Sequence, residues 1–234
     1  MKIGIIIVAG GSGRRMGSET PKQFLPLAGR PVLMRTIERL ADALPEADRI
    51  VVLPAEQTER WAELCEQYDF TVSHTVTTGG ATRFHSVRNG LEIALAAGCE
   101  VIGVHDGVRP LVSKELIERV LDSAEECGAT IPVIPLSDSV REVDYCDSCQ
   151  DFSHVVGSRP VDRSRLVAIQ TPQFFRATIL QKAYQQAYNE EFTDDASVVE
   201  AAGYTITLTP GDPANIKITT PVDLAVAETL WALS

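Results

Sequence analysis

Apolar runs of strand length alternate with segments of helical period along most of this 234-residue chain, and that rhythm restricts the fold more than any other feature. Ile3–Val8 is an unbroken apolar run, the pattern of a strand buried on both faces. Behind Pro31, which suits a first helical turn, Leu33, Ile37, Leu40 and Leu44 recur at helical spacing. Ile50–Leu53 predicts a second strand. Glu56–Tyr68 predicts a helix with Trp61, Leu64, Cys65 and Tyr68 on one face. Phe84, Val87, Leu91 and Leu95 mark another helix, and Val101–His105 another strand. Leu116, Ile117, Val120 and Leu121 mark the helix that follows, and Ala129–Ile134 the next strand. Such βαβα alternation gives an α/β fold with a mainly parallel sheet covered by helices. Tyr204–Thr209 and Asn215–Ile218 are expected as further strands. Thr220-Pro-Val-Asp223 reads as the capped start of a last helix, packed through Leu224, Ala227 and Trp231.

Residues from about 137 to 162 break the rhythm. They are polar and carry no helical stripe, and so long a structureless loop is uncommon inside a compact domain. Val140, Val143, Val155 and Val156 suggest short extended pieces, so a β-arm projecting from the core is expected. With no internal repeat and no clear linker, residues 1–234 are read as one domain including that arm.

Acidic residues outnumber basic ones by 32 to 21, a formal charge of −11. Such a surface repels nucleic-acid backbones and anionic lipid, so neither is expected as a partner. Against that background the stretch VAGGSGRRMGSETPKQFL, residues 8–25, stands out: it places Arg14, Arg15 and Lys22 on a glycine-rich turn directly after the first strand. In open α/β sheets ligands bind beyond the carboxyl ends of the strands. Glycines 10, 11 and 13 let backbone N–H groups approach a phosphate. A dinucleotide fingerprint fails at Met16, and the stretch has no glycine–lysine pair for a P-loop. A glycine turn with its own fixed cations suits a reaction in which negative charge grows on phosphate oxygens and a departing pyrophosphate.

Asp106, just past a strand, could hold a hydrated metal ion or cap a turn. Thr193-Asp-Asp195 could be a helix cap, and Lys217 lies between two isoleucines. His85 and His105 have no legible nucleophile or ligand partner and are read as structural. The five cysteines are scattered; Cys146 and Cys149 form a lone C-x-x-C, read as reduced thiols rather than a zinc site. Neither a signal peptide nor the roughly 20 apolar residues of a membrane span is legible, so a cytoplasmic protein is expected.

The segments AGGSGRRMG–PKQFLPL, GGATRFHSV, VHDGVRP, QTPQFF, TDDASVVE and NIKITTPVDL occur in this order between about Ile3 and Leu230. Together they resemble the 2-C-methyl-D-erythritol 4-phosphate cytidylyltransferases of the non-mevalonate isoprenoid pathway. The resemblance implies a Rossmann-like nucleotidyltransferase fold and a homodimer joined through the β-arm. It implies transfer of CMP from CTP to methylerythritol phosphate, with Mg2+ or another divalent cation at Asp106. Carried over by motif, Arg15, Lys22, Arg163 and Lys217 would be catalytic. Ala9, Gly10, Gly11, Ser12, Gly13, Arg15 and Lys22 would hold CTP phosphates, with Gly80, Ala81, Arg83 and Ser86 completing the CTP site. Asp106, Gly107, Arg109, Ser139, Arg163, Thr193 and Lys217 would bind the acceptor. Gly107 and Val108 stand where the family usually has alanines, Ala81 where an acid is frequent, and Ser139 in place of a threonine. The competing readings are a ribitol 5-phosphate cytidylyltransferase, which shares several of these segments, and a catalytically silent nucleotide-binding module.

Overall fold

The computed structural model describes residues 1–10, 20–145 and 155–233. Its centre is an eight-stranded sheet. The first strand, β1 (Ile3–Val8), pairs in parallel with β4 (Asp48–Leu53) on one side and β6 (Val101–Asp106) on the other. Beyond β4 lies the parallel edge strand β5 (Thr75–Thr78). Beyond β6 come β11 (Gln173–Arg176), β7 (Ala129–Pro135) and β10 (Val167–Ile169), while β12 (Thr207–Pro210) pairs in parallel with β7. Only β10 and β11 run against the other strands, so the expected mainly parallel sheet is found.

The side-chain alternation of β1 assigns the two layers of helices. Ile5 and Ile7 pack with α1 (Val32–Ala43), α2 (Thr58–Gln67) and α4 (Lys114–Cys127). Ile6 faces the opposite layer, α3 (Arg83–Ala96), α5 (Ala177–Ala183) and α6 (Asp195–Ala201). Gly90 of α3 lets that helix lie close to β1: an added Cβ would come 2.7 Å from Ile6 Cγ2. A third cluster seats α7 (Pro221–Trp231) through Ala227, Leu224 and Trp231 against Leu27 and Ile218. Leu27 belongs to a small hairpin of β2 (Pro26–Leu27) and β3 (Arg30–Pro31). Helix α7 starts with the expected capping box, Thr220 and Asp223 each bonding the other's backbone N–H.

Two terminal expectations need correction. Asn215–Ile218 joins no sheet: Asn215 N donates to Asp212 O and Ile216 N to Ala214 O within turns, and Ile218 N to Val108 O of the strand-end loop. The strand expected over 204–209 begins only at Thr207. The polar segment does form an antiparallel hairpin, β8 (Val140–Tyr145) and β9 (Val155–Val161), which makes a sheet of its own. Cys146 and Cys149 lie outside the described residues.

Candidate active site

Parallel pairing brings the ends of β1 and β6 side by side, with Val8 opposite Asp106. From there both chains turn out of the sheet. Ala9 N donates to Val52 O at 3.0 Å, and Gly107 N to Val8 O at 2.9 Å. Gly107 is enclosed by Ala9 and Leu33, each of which an added Cβ would approach to 3.0 Å. Buried Gln23 fastens the returning loop by donating to Ala9 O at 2.9 Å and Gln57 Oε1 at 2.5 Å. Its neighbour Lys22 lines the cavity above.

That cavity, of about 270 Å³, is bounded by Ala9, Gly10 and Lys22 on one side and by Gly80, Ala81, Arg83 and Ser86 on the other. The second wall is built by the start of α3. Thr82 caps the helix by accepting from His85 N, and Ser86 Oγ accepts from Gly80 N at 3.1 Å. A Cβ on Gly80 would meet His85 Cβ at 2.4 Å, so this turn requires glycine. A second cavity, of about 240 Å³, lies under Arg109, Gln170, Thr171, Gln173, Thr193 and Asp194. The two cavities share Arg83, Asp106 and Lys217 as a common wall.

Asp106 is the centre of that wall. Its Oδ2 lies 3.1 Å from Arg109 Nε and 3.1 Å from Lys217 Nζ. Burial works against its charge, but Lys217, Arg109 and Arg83 outweigh burial and hold the carboxyl well below the usual carboxylate range. Arg109 is anchored in turn by Asn215 O at 2.8 Å, and Asn215 Nδ2 donates to Thr171 O at 2.8 Å. Behind the wall, His105 Nε2 can only donate to Arg109 O, so Nδ1 accepts from Thr171 Oγ1. The same hydroxyl accepts from Asp106 N at 3.0 Å. The expectation that His105 is structural is met in this form: it is fully buried and neutral, its pKa pushed down to about 4 chiefly by burial.

Asp194 caps α6 and holds Gln173 at 2.8 Å, which sets Thr193 at the mouth of the second cavity. Thus Ala9, Gly10, Lys22, Gly80, Ala81, Arg83, Ser86, Asp106 and Lys217 meet in the first cavity, and Arg109 and Thr193 join through the second. Ser139 and Arg163 line neither: both are exposed, and Arg163 Nη1 donates to Ser137 O at the base of the arm. Gly11, Ser12, Gly13, Arg14 and Arg15 lie outside the described residues.

A family model described as IspD, 2-C-methyl-D-erythritol 4-phosphate cytidylyltransferase, matches residues 3–232. The chain belongs to this family. Among IspD relatives, the 2-C-methyl-D-erythritol 4-phosphate cytidylyltransferase of Bacteroides fragilis is 50% identical over 225 residues, covering 96% of this chain and 97% of its own. That of Porphyromonas gingivalis W83 is 50% identical over 227 residues, 96% of each chain. The crystal structure of the Thermus thermophilus enzyme of that name superposes with a TM-score of 0.75 at 32% identity, covering 98% of both chains.

Sequence reading missed several residues that shape this IspD-type site: Gln23, Thr171, Gln173, Asn215 and Asp195. Thr171 and Gln173 stood within the QTPQFF segment. Their polar side chains beside a buried Phe174–Phe175 pair are the available signal, since a polar group at such depth needs an internal partner.

Proposed function

We propose that this chain transfers CMP from CTP to 2-C-methyl-D-erythritol 4-phosphate, giving 4-diphosphocytidyl-2-C-methyl-D-erythritol and pyrophosphate. The observation that carries the reading, beside family membership, is the shared wall of Arg83, Asp106 and Lys217 between two cavities. A transfer between two bound molecules needs two adjoining sites with fixed charge at the junction. In this reading CTP occupies the cavity bounded by Gly10, Lys22, Gly80, Ala81 and Ser86, and the acceptor occupies the one bounded by Arg109 and Thr193. Lys22, and Arg15 from the glycine turn, neutralise the charge that grows as the α-phosphorus gains its fifth oxygen. Lys217 exchanges its contact with Asp106 for the acceptor phosphate and steers it in line. The acceptor phosphate is the nucleophile, so no covalent enzyme intermediate forms.

Among the described residues no group of three or more His, Cys, Asp or Glu side chains could hold a metal ion. The donor set nevertheless fits magnesium, which binds through one or two carboxylates plus substrate phosphates and water. Asp106 is the residue that would hold it, and the ion would supply charge neutralisation on the triphosphate. Arg109, 3.1 Å from Oδ2, would keep the carboxylate oriented for the ion after Lys217 has turned to the acceptor.

The exposed Arg163 and Ser139 fit a homodimer in which each arm completes the neighbour's acceptor site. Symmetric pairing of hairpins would also cover Val155 and Val156, which are 37% and 70% exposed. Free Cys65, Cys99 and Cys127 suit a reducing cytoplasm. No described helix is long and apolar enough to cross a membrane. Ribitol 5-phosphate is the acceptor of the weaker reading, since the relatives named above are methylerythritol phosphate enzymes. Incubation with CTP, magnesium and methylerythritol phosphate, followed by phosphorus NMR, tests the proposal through the appearance of a diphosphate diester.

A further inference from the structure

Arg83 and Phe84 open α3 side by side but face different surroundings. Arg83 lines both cavities, whereas Phe84 is buried in the apolar layer below. Phe84 stacks on Tyr184, with ring centroids 4.7 Å apart and planes at 20°. Tyr184 closes α5, and its hydroxyl donates to Asp195 Oδ1 at 2.6 Å. The other carboxylate oxygen of Asp195, Oδ2, receives Arg83 Nη2 at 2.6 Å. The three contacts run Arg83–Asp195–Tyr184–Phe84, and the chain itself joins Phe84 back to Arg83, so the ends of three helices are tied together.

Asp195 is completely buried, and these two short bonds give each of its carboxylate oxygens a partner. Arg83, by contrast, has a side chain 29% exposed. Its Nε and Nη1 have no protein partner among the described residues, and the guanidinium borders both cavities. One edge of a planar, permanently charged fork is thus clamped while the rest is presented to the space between the substrates. The clamp also reaches the other substrate site. Asp195 follows Thr193 and Asp194 directly, so the segment that borders the acceptor cavity is tied to the residue that borders the nucleotide cavity.

We propose that Asp195, braced by Tyr184, is a positioning residue that holds the Arg83 guanidinium ready for an anionic oxygen of the bound nucleotide. The proposal rests on the cytidylyl-transfer reading for the identity of that nucleotide. It is new in assigning function to Asp195 and Tyr184, which touch no substrate. A side chain with Arg83's free rotation would lose entropy on binding; one already fixed by Asp195 does not.

The test is a double-mutant cycle on the whole protein, read as the CTP dissociation constant by calorimetry and as kcat and KM, below the melting temperature of every variant. Arg83→Ala should weaken CTP by about 10–100-fold, the range of a charge-assisted hydrogen bond. Asp195→Asn should weaken it by about 3–10-fold. Combined with Arg83→Ala, the same change should cost nothing more. Tyr184→Phe should act in the same direction, more weakly. A folded Asp195→Asn protein that binds CTP like the wild type overturns the proposal, and so do losses that multiply in the double variant. If Asp195→Asn does not fold, Tyr184→Phe decides: unchanged CTP affinity overturns the proposal, and a loss that vanishes in the Arg83→Ala background supports it. CTP affinity needs no acceptor, so this outcome is separate from whether the wild type turns over methylerythritol phosphate.

Discussion

Lys217 places its Nζ 3.1 Å from Oδ2 of Asp106, although 111 residues of sequence separate the two. The contact depends on the segment before α7, whose Ile218 N is held by Val108 O at 2.9 Å. It keeps a cation beside a buried carboxylate at the point where both cavities meet.

The pair sets a pH expectation. The carboxyl of Asp106 is held below its ordinary range, so its contribution to stability is fully present above the unfolded pKa of about 4 and is lost only as pH falls further, through the folded pKa. Asp106 should therefore stay ionised from about pH 8 down to 4. Carbon NMR of the labelled carboxyl checks this directly: no midpoint should appear above about pH 4 in the wild type, and Lys217→Ala should move the midpoint up.

His105 loses stability in the same direction, on acidification, but in a higher pH window. It is buried neutral with a pKa of about 4, against an ordinary value of 6.5, so the unfolded state binds the proton first. Stability should fall as pH drops from about 6.5 to 4, by up to about 3 kcal/mol from this group. Urea unfolding of the wild type and His105→Gln at about pH 7 and 5 measures it. The wild type should lose more stability on acidification than the variant.

Both groups show how unevenly the sequence disclosed this site. Helices α1 and α4 and strands β1, β4, β6 and β7 were legible because long apolar periodicity reports burial directly. β5 was not, since Thr75–Thr78 is a mostly exposed edge with one apolar side chain. β10 and β11 are short and antiparallel, and nothing local distinguishes them from the turn between them. Asn215–Ile218 looked like a strand because its isoleucines alternate with polar residues, but its hydrogen bonds go to turns and to the loop it buttresses. Motif resemblance located Asp106, Arg109 and Lys217 separately. Their convergence on one oxygen comes from the turn after β6, which brings Arg109 back to Asp106, and from the 215–218 segment held to that turn through Val108 O.

A packing prediction follows from Gly103, in the middle of β6. A Cβ there would lie 2.5 Å from the ring of fully buried Phe174 on β11. Gly103→Ala should cost about 1–3 kcal/mol through overpacking, seen as a lowered thermal midpoint. Turnover well below that midpoint should change little, because β6 delivers Asp106 from its far end.

The proposed shared site makes a prediction about mixed subunits. Lys22→Ala alone should lower turnover by about 10²–10³, more than it weakens CTP binding, as for other preorganised charge-stabilising groups. Arg163→Ala alone should also be impaired. After verified subunit exchange, the mixture should regain activity, because one centre then combines an intact Lys22 with the partner's intact Arg163. No recovery would mean that Arg163 serves its own chain or none.

Cytidylyl transfer to methylerythritol phosphate stands or falls on the rate of pyrophosphate release from CTP and magnesium with either acceptor at equal concentration. Release should require 2-C-methyl-D-erythritol 4-phosphate and be at least about tenfold slower with ribitol 5-phosphate, the discrimination that one or two polar contacts supply. Release with ribitol 5-phosphate alone, or with neither acceptor although CTP binds, would refute the assignment.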